Sequence, residues 1–174
     1  YFVNKKEKAL LEEFCFGAKA NSKNCAGAKL NPDIVGKPAT WIAEQAGFSV
    51  PEDTNILAAE CKEVGEKEPL TREKLSPVIA VLKSESREDG VEKARQMVEF
   101  HGLGHSAAIH TADEELTKVF GKAVRAIRVI CNSPSTFGGI GDVYNAFLPS
   151  LTLGSGSYGR NSVGDIVRAL NLLN

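Results

Sequence analysis

Three histidines, four cysteines and one glycine-rich hexapeptide are the groups whose type and spacing could do chemistry in this chain of 174 residues. His101 and His105 stand at i and i+4, a spacing that puts two imidazoles on one helical face and can hold zinc beside a carboxylate. Here Gly102 and Gly104 occupy the interval and no carboxylate does, so no metal site is expected from these two or from His110. His105 is the histidine to watch, because it falls at the start of a buried strand, where loops and ligands meet. Its other use would be to satisfy a backbone carbonyl. Gly154-Ser155-Gly156-Ser157-Tyr158-Gly159 spells G-x-G-x-x-G between an apolar run and an expected helix. In a dinucleotide fold such glycines bring the backbone up to a pyrophosphate, but the fingerprint also needs a second strand and an acidic residue about 20 positions on. The sequence stops at Asn174, which leaves another kind of active-site loop, or a simple turn, as the readings.

Cys15, Cys25, Cys61 and Cys131 contain no C-x-x-C pair and no zinc-ligand clustering. In a neutral, core-forming chain they are expected as reduced thiols, with the cytoplasm as the compartment. A reactive cysteine wants a helix N-terminus or a cation to lower its pKa. Cys131 ends a strand on which Arg128 faces the other side, so it is expected as a buried structural thiol. Cys25 sits in a Gly-containing loop, Asn21 to Lys29, where nothing local would activate it.

Elements must position these groups. Lys5 to Phe16 has the apolar spacing of a helix, and Pro38 opens a second one that Gly47 stops. Thr54 to Cys61 reads as a strand and Glu60 to Glu73, densely charged, as a solvated connection. From Pro77 the rhythm is regular. Val78 to Leu82 reads as a strand buried on both faces. Ser86-x-x-Asp89 resembles a capping box for a helix that turns Val91, Ala94 and Val98 inward and ends before Gly102. Ser106 to His110 is the next strand, and Thr111-x-x-Glu114 a second capping box for a helix carrying Leu116, Val119, Phe120, Ala123 and Val124. Ile127 to Cys131 is a third strand. This β-α-β-α-β order predicts an α/β fold, a parallel sheet with flanking helices and right-handed crossovers. Val129 to Gly159 then holds one charged residue, Asp142, and six of the sixteen glycines. That is expected of loops lining a site, or of an irregular segment covering the core. Ser162 to Leu173 reads as a closing helix.

Composition bounds the function. Lys and Arg total 21 against 22 Asp and Glu, and 43% of residues are apolar. Divided after Arg87 the charges count 13 against 13, then 8 against 9, so neither half is a basic arm. No nucleic-acid backbone or anionic membrane is called for. No run approaches a membrane span and the N-terminus is not signal-like. Because the first residue is Tyr1 and not Met, a processed chain or a piece of a longer one is expected.

Several motifs together carry a family resemblance. Glu73-Lys-Leu-Ser-Pro77-Val precedes a strand and helix, then Gly102-Leu-Gly104-His105 and an Ala-rich strand. Leu30-Asn-Pro-Asp-Ile-Val-Gly36, Ala46-Gly-Phe-Ser-Val-Pro51, Gly138-Gly-Ile-Gly-Asp142-Val-Tyr-Asn145 and Pro149-Ser-Leu-Thr-Leu-Gly154-Ser-Gly156-Ser-Tyr-Gly159 complete the set. In that order they resemble the catalytic domain of the aldehyde dehydrogenase superfamily. The branch they resemble is the coenzyme-A-acylating one, above all the aldehyde half of bifunctional aldehyde-alcohol dehydrogenases.

The resemblance implies a reversible reaction of aldehyde, coenzyme A and NAD to acyl-coenzyme A and NADH. It implies a cysteine nucleophile and a Rossmann-type NAD domain, both upstream of the matched region, since none of the four cysteines stands in the nucleophile's context. Residues 1–174 are therefore expected to be a single partial catalytic domain, inactive alone, working with the rest of a parent chain that is homo-oligomeric. Glu73 matches the glutamate that reaches the nicotinamide-side ribose, and His105 a histidine beside the reacting centre. Asn132 and the loop with Gly154, Ser155 and Gly156 are weaker candidates for the pocket wall. Cofactor phosphates would belong to the missing domain, which overrides the G-x-G-x-x-G match. An acyl-phosphate reductase of the same superfamily and a non-catalytic assembly module remain the alternatives.

Overall fold

The computed structural model describes residues 1–17, 29–141 and 145–172, and it divides into two compact units, Tyr1–Ser84 and Glu85–Asn174. Positions 21–28 of the expected loop, Cys25 among them, lie outside the described residues, as do Asp142 and the last two residues.

In the first unit, helix α1 (Lys5–Phe16) starts at a complete capping box. Asn4 accepts from the amides of Lys6 and Glu7 at 2.9 and 3.0 Å, and Glu7 returns a carboxylate oxygen to the Asn4 amide at 2.8 Å. These bonds satisfy donors that a helix start leaves orphaned. Leu11 and Cys15, one turn apart, are both fully buried. Helix α2 (Ala39–Ala46) runs from Pro38 to a left-handed Gly47, as expected, and buries Ile42 and Ala43 against the same core. Strand β1 (Leu57–Cys61) is three residues shorter than expected and pairs in parallel with β2 (Val78–Leu82), Leu57 opposite Val78. The backbone of Phe2 bridges Ala58 on the other side of β1. Two expectations need correction here. Strand β2 is not buried on both faces, since Ile79 is 48% exposed. The charged connection is not merely solvated: Glu68, Pro69, Leu70, Thr71 and Lys74 are buried, with Pro69–Thr71 forming a 3-10 turn. Glu68 can be buried because Lys8 pairs with it and the Lys62 amide donates to it at 3.1 Å.

In the second unit, α3 (Arg87–His101) begins at Ser86, whose hydroxyl accepts from Asp89 N at 3.1 Å. The return arm of the box reaches one residue further than expected, Asp89 accepting from Glu85 N. Strand β3 (Gly104–Ile109) starts two residues earlier than expected. Helix α4 (Glu114–Ala123) is capped by Asp113 and not by Thr111. Asp113 takes the amides of Glu115 and Leu116 at 3.0 Å, while the Thr111 hydroxyl supports Asp113 N. Val119, expected inward, is 54% exposed, and Phe120 and Val124 carry the packing. Strand β4 (Ala126–Cys131) lies parallel to β3, with Ser106 opposite Arg128. Ala107, Ile109 and Val129 meet Val98 and Phe120. The strands thus form two parallel pairs, β1–β2 and β3–β4, and not the expected β2–β3–β4 run. β2 has a partner in its own unit because β1 is buried at four of five positions and closes over the α1–α2 core.

After β4 comes a short helix, α5 (Ser135–Ile140), whose Gly138 lies so close to Ile130 that an added Cβ would stand 2.5 Å from that side chain. The closing helix expected over 162–173 does not form within the described residues. Instead Leu153 bridges Ile166 in antiparallel fashion, and Gly154 N and Gly156 N donate to Asp165 O and Val163 O at 2.9 and 3.0 Å. A Cβ at Gly154 would sit 2.0 Å from Val163 O, so this ribbon can close only on glycine. Having spent these groups on a hairpin, the segment leaves only a 3-10 turn, Ala169–Leu172. No described helix is long and apolar enough to cross a membrane.

Gly104 joins β3 to the glycine ribbon at close quarters. Its φ is +85°, and a Cβ there would lie 2.2 Å from Ser155 O and 2.6 Å from Gly159 N. Gly104→Ala should therefore destabilise the second unit by about 3 kcal/mol, combining left-handed strain with overpacking. Hydrogen exchange should localise the loss to 104–109 and 153–167, and a change under about 0.5 kcal/mol would contradict the junction. The thiols give a second check. Burial pushes Cys15 and Cys61 up to about 12, whereas Cys131 is exposed, contrary to expectation. At pH 8, peptide-resolved alkylation of the folded chain should modify Cys131 and spare Cys15 and Cys61 until unfolding.

Candidate functional site

In the first unit, Glu73 follows the buried 3-10 turn Pro69–Thr71 and the extended Arg72. Arg72 is half-buried and bonds Glu66 at 2.5 Å, Glu73 is exposed, and Lys74 is buried. The buried Lys74 thus directly follows the exposed Glu73. Lys74 Nζ donates to Leu70 O at 2.5 Å and to Arg72 O at 2.7 Å, and burial lowers its pKa. Leu75 then takes a left-handed φ of 49°, and its carbonyl accepts from Gly36 N at 3.1 Å. Among the described residues no hydrogen bond reaches the Glu73 carboxylate, which leaves both oxygens open as acceptors.

In the second unit, His105 lies inside β3, at its second position, and not ahead of the strand as expected. Its ring is exposed, and its Nδ1 is 3.1 Å from Ser106 Oγ. That contact engages Nδ1 in either tautomer and leaves Nε2 as the outward nitrogen. Ser106 in turn accepts from Arg128 Nε at 3.1 Å, and Arg128 Nη2 donates to Gly154 O at 2.5 Å. One guanidinium thus ties the histidine's neighbour on β3 to the glycine ribbon. Burial lowers the pKa of Arg128, with Asp165 opposing the shift, and its Nη1 is a buried donor without a partner. Sequence reasoning missed Arg128 as part of this site. The signal was available, because a residue two positions into a parallel strand faces its registered partner on β3.

Gly154 and Gly156 are buried and Ser155 half-buried, and the ribbon stands against Gly104, directly before His105. The structure therefore brings His105 and the Gly154–Gly156 loop together. It does not bring Asn132 to them. Asn132 follows the carboxyl end of β4, whereas His105 is at the amino end of the parallel β3, five residues or roughly 16 Å away along the sheet. Its amide is used locally, donating to Thr111 O at 2.9 Å and accepting from Thr111 N at 2.8 Å. It clips the two strand ends beside a cleft of about 400 Å³ that Cys131 and Lys118 also line. Cys131 is thus at the edge away from His105. The six-residue sequence Gly154–Gly159 does not precede a helix, which removes the dinucleotide reading of its glycines. Among the described residues no group of three or more His, Cys, Asp or Glu side chains converges as metal ligands.

No family model matches the chain. Known proteins do. The aldehyde-alcohol dehydrogenase of Streptococcus pneumoniae is 92% identical over 174 residues, which is 100% of this chain and 20% of that protein. The bifunctional aldehyde-alcohol dehydrogenase of Escherichia coli K12 is 48% identical over 149 residues, 83% of this chain and 17% of that one. The crystal structure of an acetylating aldehyde dehydrogenase from Geobacillus thermoglucosidasius matches at a TM-score of 0.86 and 38% identity, covering 100% of this chain and 36% of that one. The chain spans about a fifth of the length of the curated relatives it matches. Over its whole length, then, the chain is homologous to one segment of the aldehyde-alcohol dehydrogenases and of an acetylating aldehyde dehydrogenase.

Proposed function

We propose that this chain is one segment of an NAD-dependent acylating acetaldehyde dehydrogenase, which interconverts aldehyde, coenzyme A and NAD with acyl-coenzyme A and NADH. The observation that carries the reading is the outward presentation of both matched residues, Glu73 and His105, in a chain 92% identical to a segment of an aldehyde-alcohol dehydrogenase. The residues fit the groups they would meet. A carboxylate with both oxygens open can accept from two vicinal ribose hydroxyls, and Glu73 is so placed. NAD supplies hydride transfer when bound, and the work of Glu73 is to fix where its ribose lies. Distances at a hydride transfer are unforgiving, so this is a positioning role with a large lever.

His105 offers Nε2 to the reacting centre while Ser106 holds Nδ1. From there it can donate to a developing oxyanion or manage the coenzyme thiol's proton. Gly154, Ser155 and Gly156 form the wall beside it, and Arg128 holds that wall to β3. Asn132 stands apart as a strand-end clip. The described cysteines do not serve as nucleophile: Cys15 and Cys61 are buried with raised pKa values, and Cys131 stands at the other edge of the sheet. The thiolate, like the NAD domain, is then supplied by another part of the full enzyme, which we take to be oligomeric. The unpaired state of the three described thiols fits a reducing, cytoplasmic setting.

The test is kinetic. The 174-residue chain alone should show no acetyl-coenzyme-A-dependent NADH oxidation, and the full-length enzyme carrying it should. In that enzyme His105→Ala should lower kcat about 100-fold with little change in cofactor KM. Glu73→Gln should raise cofactor KM about tenfold while leaving labelling of the nucleophilic thiol intact. Wild-type kinetics in both variants would remove these residues from the site.

A further inference from the structure

Lys74 is a buried cation that the proposed reaction does not use. Only 8% of it is exposed, it has no carboxylate within bonding distance among the described residues, and its ammonium is spent on two backbone carbonyls, Leu70 O and Arg72 O. Lysine is among the residues least often fully buried without an ionic partner, because the ammonium loses its hydration. A neutral side chain of similar length would fill the same space without that cost, so the charge calls for a reason beyond packing. The geometry supplies one. One carbonyl lies within the 3-10 turn Pro69–Thr71 and the other at its C-cap, so one ammonium holds residues 70 and 72 together. The side chain is buried from the position immediately after Glu73, which itself stays exposed, so a tie on residue 74 acts directly on the backbone of its neighbour. The next residue, Leu75, is held left-handed at φ 49° with 60% of its surface exposed. A leucine adopts that conformation only where its surroundings impose it. Lys74 on one side and the Gly36 N to Leu75 O bond on the other are the two ties that impose it.

We propose that Lys74 is a positioning residue for Glu73: its buried ammonium clamps the Leu70 and Arg72 carbonyls and so fixes where the Glu73 carboxylate stands. This rests on the reading of Glu73 as the ribose-holding group. Lys74 touches no substrate, and everything it does for turnover passes through Glu73. A side chain that acts only through another should have no effect once that other is gone, which a double-mutant cycle reads directly.

The experiment measures acetyl-coenzyme-A-dependent NADH oxidation in the full-length enzyme for wild type, Lys74→Met, Glu73→Gln and the double variant. Lys74→Met should raise NADH KM about tenfold, as Glu73→Gln does, with kcat for saturating NADH within about threefold. The double variant should be no worse than Glu73→Gln alone, and Lys74→Arg, which keeps charge and donors, should recover most of the loss. An unchanged KM in Lys74→Met, or losses that multiply in the double variant, would overturn the proposal. A wild type without activity, or a Glu73→Gln variant with unchanged KM, would instead sink the reading of Glu73, and this inference with it. If Lys74→Met does not fold, hydrogen exchange on Lys74→Gln reads the same point. Amides 70–76 should exchange about tenfold faster while those of β1 and β2 are unchanged, and uniform exchange would overturn the clamp.

Discussion

The backbone of Gly104 runs against the backbones of Ser155 and Gly159 with no space for a side chain between them. Most of what the second unit offers as a site depends on that approach. It sets the start of β3, and so places His105 inside a strand with its ring outward. It also fixes the height of the Gly154–Gly159 ribbon over the sheet. Arg128 then spans the junction from below, one nitrogen on Ser106 and one on Gly154. Backbone against backbone is rigid in a way that side-chain packing is not, because neither partner has a rotamer to change. A wall built this way keeps its distance from His105 when ligands come and go.

The first unit reaches a comparable rigidity by another route. Here the candidate residue sits on irregular backbone after a turn, with no strand to hold it. Buried polar contacts take the strand's place: Lys74 on the Leu70 and Arg72 carbonyls, Glu68 on Lys8 and the Lys62 amide, and the Thr71 hydroxyl on Glu68 O. Such networks are costly if any member is unpaired, and here the members are paired. They make a loop behave as a framework element. The apolar core beneath, centred on Leu11, Ile42, Leu57 and Leu70, gives them a dry medium in which a hydrogen bond is strong.

The elements were largely legible in the sequence and their pairing was not. Helices α1 and α2 read correctly because apolar period, Pro38 and Gly47 are local signals, although the Asn4-x-x-Glu7 capping box went unread. Strand pairing failed because alternation of strand and helix says nothing about which strand is the partner. β1 was expected as a strand, but the long charged connection after it gave no sign that it pairs with β2. The expected C-terminal helix failed for a different reason. Its apolar spacing is real, but Gly154 and Gly156 pair with Asp165 and Val163, and two backbones approaching that closely outcompete a helix. As for the site, Glu73 and His105 came from motifs, and the loop at Gly154 to Gly156 from its glycine density. Lys74 was invisible because nothing in a linear pattern marks a cation that bonds only backbone carbonyls, and Arg128 was missed because only the register of β3 and β4 sets it opposite Ser106.

The central claim is that Glu73 is the group that holds the nicotinamide-side ribose. The measurement that tests it most directly is a crystal structure of the full-length enzyme with NAD bound. The account predicts a Glu73 carboxylate oxygen within about 3 Å of a nicotinamide-side ribose hydroxyl. A ribose bound by other residues, with Glu73 in solvent, would contradict it.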